Sequence, residues 1–545
     1  MKKIKSNYLL LALMAATCFG GMFTSCTEDM SLLNLPYLFR PINVNAALNG
    51  VKATITWSNV DAAANYTIEI YQDSLVYNST NLILRDTTSN TSYLVELGGQ
   101  TRYSVKVRAN ASDTTKSSKY NGTLTFKTPA ENIFTGYESY MNDIHTTEIK
   151  WLPGANVTQL VYSANGLPDT TLIVSAGEAL AGKKVVSALP NATYTIKIFN
   201  RTIQRGSVNV LVEGDVFLSS AQTGDLASTL TNATSGQVIV LDSGAVYTIG
   251  TASYLFNKNI KVRGRSRTNL PVICMSTGTS AGTAMLGIDT VTIDKIAFEN
   301  IDFTGYVTNN PSATKIDYLI NNGAKFTLET LSFTNCKMHN FGRTPMRLKD
   351  GKDQRITNLI YDNCIINEIG FGSTYALVNV NTKDYITNIS FSNCTMYNFK
   401  GSLILKTGAY PMGKVSLTNC TINQAGQDPS STRLLFDFNL ATFGTTDGIT
   451  IKNCIFGSTG PTGGVSIAAG LRKLTTATIT MSGCYFTTDY IDETPIGGTS
   501  YTIKDKMTSY TGASSALWND PLNGVFTIKD AAFAGKGIAG DPRWY

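Results

Sequence analysis

Between Ile296 and Phe486 the chain repeats one pattern, apolar-x-apolar-x-Asn-Cys-x-apolar. The copies centre on Asn300, Asn335, Asn363, Asn393, Asn419, Asn453 and Gly483, and all but the first carry the cysteine: Cys336, Cys364, Cys394, Cys420, Cys454 and Cys484. Two apolar residues at spacing two make one face of a strand. Asn then turns the chain, because it tolerates the left-handed conformation, and Gly483 at the same point fits that conformation best. The cysteines recur at intervals of 28, 30, 26, 34 and 30 residues. A period near 30 with short strands marks a solenoid. A leucine-rich horseshoe needs a leucine frame that is absent, and a sandwich would not hold one Asn-Cys pair in phase. A further strand lies between copies, at Pro345–Lys349, Ala376–Val380, Leu403–Lys406, Arg433–Phe438 and Gly464–Ile467. Three strands and three turns per period predict a right-handed parallel β-helix over 214–545.

The same phase decides the cysteine chemistry. Nine cysteines in an exported chain would ordinarily suggest bridges. Cysteines at one point of successive coils point the same way, which is poor geometry for a disulfide. There is no CxxC and no Cys/His pairing for zinc. Cys274 and the six phased cysteines are expected to be buried and reduced, packing as small apolar groups.

Upstream the apolar period is strictly two. Ala53–Trp57, Tyr66–Tyr71 and Tyr103–Arg108 alternate, as strands with one buried face do. Trp57, followed later by Leu97 and Tyr103, resembles the fibronectin type III domain, in which an early Trp fills the core and a late Tyr forms a corner. Ile149-Lys150-Trp151 and Leu189–Ile198 repeat the plan. The expected fold is therefore all-β: two fibronectin type III-like sandwiches, over 38–128 and 132–213, ahead of the β-helix. The sandwiches are expected to act as spacers.

The first 25 residues read as a secretory signal, with Lys2, Lys3 and Lys5 before the apolar Leu9–Ala16. Phe23-Thr24-Ser25-Cys26 resembles the lipobox of bacterial lipoproteins, which implies lipidation at Cys26 and a linker over 26–37; an ordinary signal followed by a stray cysteine is the alternative. Glu28-Asp29 resembles the surface-export signal of gut bacterial lipoproteins. The implied location is the outer membrane, at the cell surface, held by lipid. No later run is long and apolar enough to span a bilayer. Only 15% of residues are charged, and losing the three signal lysines takes the net charge from +6 to +3. That argues against nucleic acid as a partner.

Gly236–Leu241 and Asn259–Gly264 resemble the opening strands of pectin-lyase-like β-helices. Gly540–Tyr545 resembles the C-terminal cap of a β-helix family of unknown function, found as surface lipoproteins in polysaccharide-utilisation systems. The resemblance implies an acidic, pectin-like polysaccharide as ligand of the β-helix, with glycan-uptake proteins of the outer membrane as further partners. The polygalacturonase motifs are broken: Asn381-Thr382-Lys383 and Arg355-Ile356-Thr357 are partial matches, and no Asp-Asp or Gly-His-Gly exists. His339 reads as a surface turn residue.

The basic stretch Lys337, Arg343, Arg347, Lys349, Lys352 and Arg355 faces only Asp350 and Asp353. On the third strand Arg347 or Lys349 is expected to stack near Asn379 and Asn381, then Lys406, then Asp437 and Asn439. Such a stripe suits a carboxylated glycan, with Phe371, Tyr375, Tyr397 and above all Tyr410 as stacking candidates. A solvated basic face is the alternative, as is an adhesive role with a protein ligand. A polysaccharide lyase would use Lys349 or Lys406 as general base, with Arg347 beside it. No cofactor is expected for a binder. Calcium would be needed by a lyase, and Asp350, Asp353 and Asp437 are scattered.

Overall fold

The computed structural model describes residues 37–545 apart from 74, 140–144, 279–281, 350, 374, 382, 408–411, 429–432, 439–447, 460–467, 473–477 and 492–499. Among the described residues no helix is long and apolar enough to cross a membrane.

In the first sandwich the alternating strands put one side chain in two into a shared core. A sheet of Asn45–Asn49, Lys52–Thr56 and Ser92–Glu96 faces one ordered Leu82–Thr88, Asn65–Gln72, Arg102–Asn110 and Asn121–Lys127. Ile55, Ile68, Ile70, Val105 and Val107 are fully buried between them, with Trp57 edge-on to Tyr66 at 5.4 Å. The Gly98 amide donates to the Tyr103 hydroxyl at 2.8 Å, the corner expected of this fold. The second sandwich has the strands Phe134–Ser139, Thr147–Trp151 and Lys183–Val186 in one sheet. Trp151 is buried, and the Tyr194 hydroxyl donates to Pro190 O at 3.0 Å.

From Val216 onward three stacked parallel sheets of ten, ten and nine strands wind into a β-helix. The first runs from Val216–Leu218 to Ile479–Ser482, the second from Val246–Thr248 to Thr508–Ser509, and the third from Tyr254–Phe256 to Ser500–Tyr501. The last of these strands pairs antiparallel with Ala468–Arg472. The strand paired with Arg433–Phe438 is Ala468–Arg472, and the expected strand Gly464–Ile467 lies outside the described residues. The short helix Leu226–Asn232 buries Leu226 and Leu230 in the start of the core.

The repeated pattern is legible atom by atom. Phe298, Phe333, Tyr361 and Phe391 are register partners, and their rings stack at 5.3, 5.2 and 4.7 Å, within 12° of parallel. At the corner Asn300, Asn335, Asn363, Asn393, Asn419 and Asn453 all have φ between 50° and 57°, and Gly483 has 63°. Their amides form a ladder: Asn335 donates to Asn300 Oδ1 at 2.9 Å, Asn363 to Asn335 at 2.9 Å, Asn419 to Asn393 at 3.1 Å and Asn453 to Asn419 at 3.3 Å. The seven described cysteines are free and buried. Their Sγ atoms take backbone partners, as Cys364 does with Phe333 O at 3.3 Å. Burial pushes the thiols of Cys336, Cys364, Cys394 and Cys420 well up.

The C-terminal segment lies along the side of the coil, as a strap and not as a plug on its end. Trp518, Phe526, Ile528 and Phe533 pack with Ile455, Tyr397 and Tyr485 on the outer face of the second sheet. The tail then climbs coil by coil. Gly540 N donates to Asn453 O, Asp541 N to Thr421 Oγ1, and Thr395 Oγ1 to Asp541 Oδ2 at 2.7 Å. Arg543 Nη2 reaches both the backbone oxygen and Oδ1 of Asn363 at 2.7 Å. Here the ladder steps sideways: Asn393 donates to Asp362 Oδ1 at 3.1 Å, while Asn363 Oδ1 accepts from Arg543.

Candidate functional site

Register on the third sheet decides which of the expected residues share a face. Asn321, Arg347, Asn379, Leu405, Asp437 and Arg472 are successive partners across six strands. Neighbouring positions Met346, Leu348, Val378, Val380, Ile404, Phe436 and Phe438 are buried and fill the core. Side chains alternate along a strand, so Asn321, Arg347, Asn379, Leu405 and Asp437 face outward. Arg347, Asn379 and Asp437 therefore do stand on one outward column.

Lys406 does not, which corrects the expected stripe. It pairs with Val380 and Phe438, on the inward column, and is 1% exposed. Its Nζ donates to the backbone oxygens of Asp384 at 2.6 Å and Thr407 at 3.2 Å. Burial lowers its pKa to about 8, against the pull of Asp384. The value would suit a general base, but the amine is turned into the wall of the coil. Lys349 and Asn381 lie just past the strand ends. Asn381 Oδ1 accepts from Asn379 Nδ2 at 2.9 Å, and the Lys349 amide donates to Gln354 Oε1 at 3.2 Å. Tyr410 and Asn439 lie outside the described residues, as does Cys26.

Around Arg347 a cluster forms that sequence reading found only in part. Arg343 Nη1 and Arg347 Nη1 both donate to the Tyr318 hydroxyl, at 2.8 and 3.0 Å. Each guanidinium also lies within 6 Å of the Tyr318 and Tyr375 ring centres, Arg347 closest at 4.9 Å from Tyr375. Burial pushes the Tyr318 hydroxyl up, against the hydrogen bond from Arg343 and the charge of Arg347. Arg343 is neutralised by Asp317 at 3.1 Å. Arg347 has no ion-pair partner among the described residues, and its Nε is buried with no hydrogen bond. So are Asn321 Oδ1 and Asn379 Oδ1, on the rungs either side of it. Three adjacent rungs thus each present an unmatched polar atom, where nearly all such atoms are normally paired. Asp317, Tyr318 and Asn321 lie one coil before Pro345–Lys349, the first of the third strands read from the sequence. Tyr318-Leu319-Ile320-Asn321 shows the same apolar run, which is the signal that marks this coil in the sequence.

The rest of the basic stretch disperses, because one coil carries those residues around three faces. Lys337 is on the second sheet and Arg355 on the first, where it lies over the Tyr385 ring at 5.3 Å and binds Asp353 at 2.7 Å. His339 is not a turn residue. It ends a strand of the second sheet, half-buried, with Nε2 at 2.8 Å from Asp302 Oδ1. Burial works against its protonation, and the bonds to Asp302 and Asn340 prevail and raise its pKa. Phe371 is 45% exposed. Tyr397 is no stacking platform: its ring packs against Phe526 of the strap at 5.3 Å. Among the described residues no three His, Cys, Asp or Glu side chains gather as metal ligands. Asp353 is already paired with Arg355 and Lys325, Asp437 lies on the third sheet and Asp350 outside the described residues, so the described carboxylates do not gather into a calcium site.

Fold and site define a β-helix protein carrying two fibronectin type III-like sandwiches and an arginine–tyrosine cluster on one outer face. Residues 415–544 match a family model described as a domain of unknown function (DUF5123). Among solved structures, the chain is similar to a two-domain fibronectin type III segment of chicken tenascin, at 12% identity and TM-score 0.18, covering 32% of this chain and 98% of that one. It is also similar to the FN1–FN3 domains of chicken CNTN1, at 18% identity and TM-score 0.15, covering 32% and 67%. No curated protein sequence matches.

Proposed function

We propose that the chain is a cell-surface lipoprotein, anchored in the outer membrane through Cys26, that holds an acidic, pectin-like polysaccharide on the outer face of the third sheet. Arg347 carries this reading. It is a half-buried guanidinium without an ion-pair partner among the described residues, and its Nε has no acceptor. A guanidinium takes a carboxylate through two parallel bonds. Asn321 Oδ1 and Asn379 Oδ1, buried and unmatched one rung to either side, about 5 Å away each way, would become acceptors for sugar hydroxyls on rotation of the side chains. Tyr375 supplies a ring on which a sugar face can rest. The second sandwich acts as a spacer, and an outer-membrane glycan-uptake protein is the expected partner.

A polysaccharide lyase is the competing reading. With Lys406 turned inward, its base would fall to Lys349 or Arg347. The two readings separate in one titration of polygalacturonate, with neutral galactan as control, into the full chain. Binding predicts a saturating heat that weakens about 10- to 100-fold in Arg347→Ala, the scale of a lost charge-assisted bond, and is partly kept in Arg347→Lys. Equal affinity in wild type and Arg347→Ala sinks the proposal. A sustained heat proportional to protein concentration means turnover and favours the lyase.

A further inference from the structure

The central strand of the first sandwich, Asn65–Gln72, is buried on both faces. Tyr66, Ile68 and Ile70 enter the core, but Thr67, Glu69 and Tyr71 on the opposite face are also 6% exposed or less. The outer face of a two-sheet sandwich ordinarily meets water. Here it forms the floor of an open cavity of about 630 Å³, walled by Arg85, Asp86, Thr87, Lys106, Arg108 and Tyr120. That volume lies within the usual ~300–1,000 Å³ of small-molecule sites.

The charges in the cavity are unequal. Glu69 is fully engaged: it accepts from Tyr71 and Tyr120, the latter at 2.7 Å, and from Arg85 Nε at 2.9 Å, with Lys106 Nζ at 3.5 Å. Burial raises its pKa, but the two tyrosine bonds and the charges of Arg85 and Lys106 outweigh that and hold the carboxylate ionised. Asp86 accepts from the Tyr93 hydroxyl at 2.6 Å and from the Thr87 amide. Against these two acids stand Arg85, Lys106 and Arg108. Lys106 sits within 5.3 Å of the Tyr71, Tyr77 and Tyr120 ring centres. Arg108 lies over Tyr120 at 5.2 Å, and its Nε is buried with no hydrogen bond. The surplus positive charge therefore rests on a guanidinium backed by an aromatic ring.

We infer that this cavity is a second ligand site, for a carboxylate-bearing sugar of one or two rings. The carboxylate meets Arg108; the hydroxyls meet Thr67, Thr87 and the tyrosine hydroxyls; a ring face rests on the exposed edge of the tyrosine group. A lining of mostly charges and hydroxyls favours a sugar over a hydrophobic acid. The first sandwich is then a binding module in its own right, not only a spacer, and the site stands independently of the one at Arg347.

The probe is digalacturonate, with galactobiose as the neutral control, titrated calorimetrically into the full chain. Wild type is expected to show two sites, with Arg108→Gln and Arg347→Gln each removing a different one. Arg108→Lys, which keeps the charge and the stem over Tyr120, is expected to retain the first-sandwich site within about tenfold, so that loss in Arg108→Gln is not a folding defect. Unchanged stoichiometry in Arg108→Gln, or no binding left in Arg347→Gln, overturns the inference. Equal binding of galactobiose overturns the role given to the carboxylate. A site lost with Arg108 but untouched by Arg347→Gln would support this inference while sinking the reading of the β-helix face.

Discussion

Lys406 is the residue whose substitution tests the architecture most sharply. Its ammonium is 1% exposed, and burial lowers its pKa from 10.5 to about 8. Below about pH 8 folded and unfolded chains both carry the proton, and above 10.5 neither does. Between those values the unfolded chain holds a proton the folded one has released. The unfolded state then binds more protons, so stability rises with pH across that window. At about 1.4 kcal/mol per unit the full gain is on the order of 3 kcal/mol. Lys406→Met keeps the length of the side chain and removes the charge. At pH 7 it relieves that cost but strips hydrogen bonds from the Asp384 and Thr407 carbonyls, each loss worth about 1 kcal/mol. The variant is expected to be about 1 kcal/mol more stable than wild type at pH 7 and about 2 kcal/mol less stable near pH 10.5, so the two curves cross. Thermal unfolding of both chains in matched buffers from pH 7 to 10.5 reads this as a change in the sign of the Tm difference. Tyrosines and thiols exposed on unfolding titrate in the same range, but do so in both chains and cancel in the comparison. A Tm difference that stays constant with pH would refute the placement of Lys406 in the wall. Binding of polygalacturonate is expected to be unaffected in the variant.

The corner and the cysteine ladder make two further predictions. Asn419→Ala should destabilise the coil by about 1–3 kcal/mol, since it places a Cβ residue at φ 52° and removes two rungs of the amide ladder, whereas Asn419→Gly should cost less; equal Tm losses would argue against the left-handed corner. Thiol-reactive dye should leave Cys336, Cys364, Cys394 and Cys420 unlabelled in the folded chain and label them on denaturation, with Cys484 first to react because the hydrogen bond from its neighbour Cys454 leads the causes that lower its pKa. Mass-spectrometric mapping that finds Cys394 labelled in native buffer would contradict the packing.

Why the fold could be read and the site only partly follows from what each depends on. The Phe298–Phe333–Tyr361–Phe391 stack, the Asn corner and the Cys ladder recur once per coil, so each copy confirms the phase of the others. The site depends instead on side-chain direction at single positions. In Ile404-Leu405-Lys406 hydrophilicity suggests the lysine as the outward residue, yet pairing with Val380 and Phe438 puts Leu405 outside and the lysine inside. A buried lysine with carbonyl partners leaves no mark in composition. The basic run from Lys337 to Arg355 failed for the opposite reason: proximity in sequence is not proximity on a coil that turns through three sheets within about thirty residues. Only Arg343 and Arg347, four residues apart, stayed together, and they are joined by Tyr318 from the preceding coil.

The three outer faces of the coil are therefore not equivalent. On the second sheet the strap occupies the surface from the Asn363 corner to Tyr485: Arg543 spends its guanidinium on Asn363, Trp544 Nε1 donates to Thr395 at 2.7 Å, and Tyr397 lies beneath Phe526. A glycan laid there would first have to displace an apolar cluster that includes Trp518, Phe526 and Phe533. On the first sheet Asn388 donates to Asn358 at 3.0 Å, and Asn358 to Glu329 at 3.1 Å, so those outward polar groups satisfy one another. The third sheet differs from both, because Asn321, Arg347 and Asn379 each keep an unmatched atom on consecutive rungs. Unmatched buried polar atoms cost about 1–3 kcal/mol apiece; under the proposed reading, a hydroxylated, carboxylated ligand that pairs with them would recover a cost that an apolar surface would leave in place.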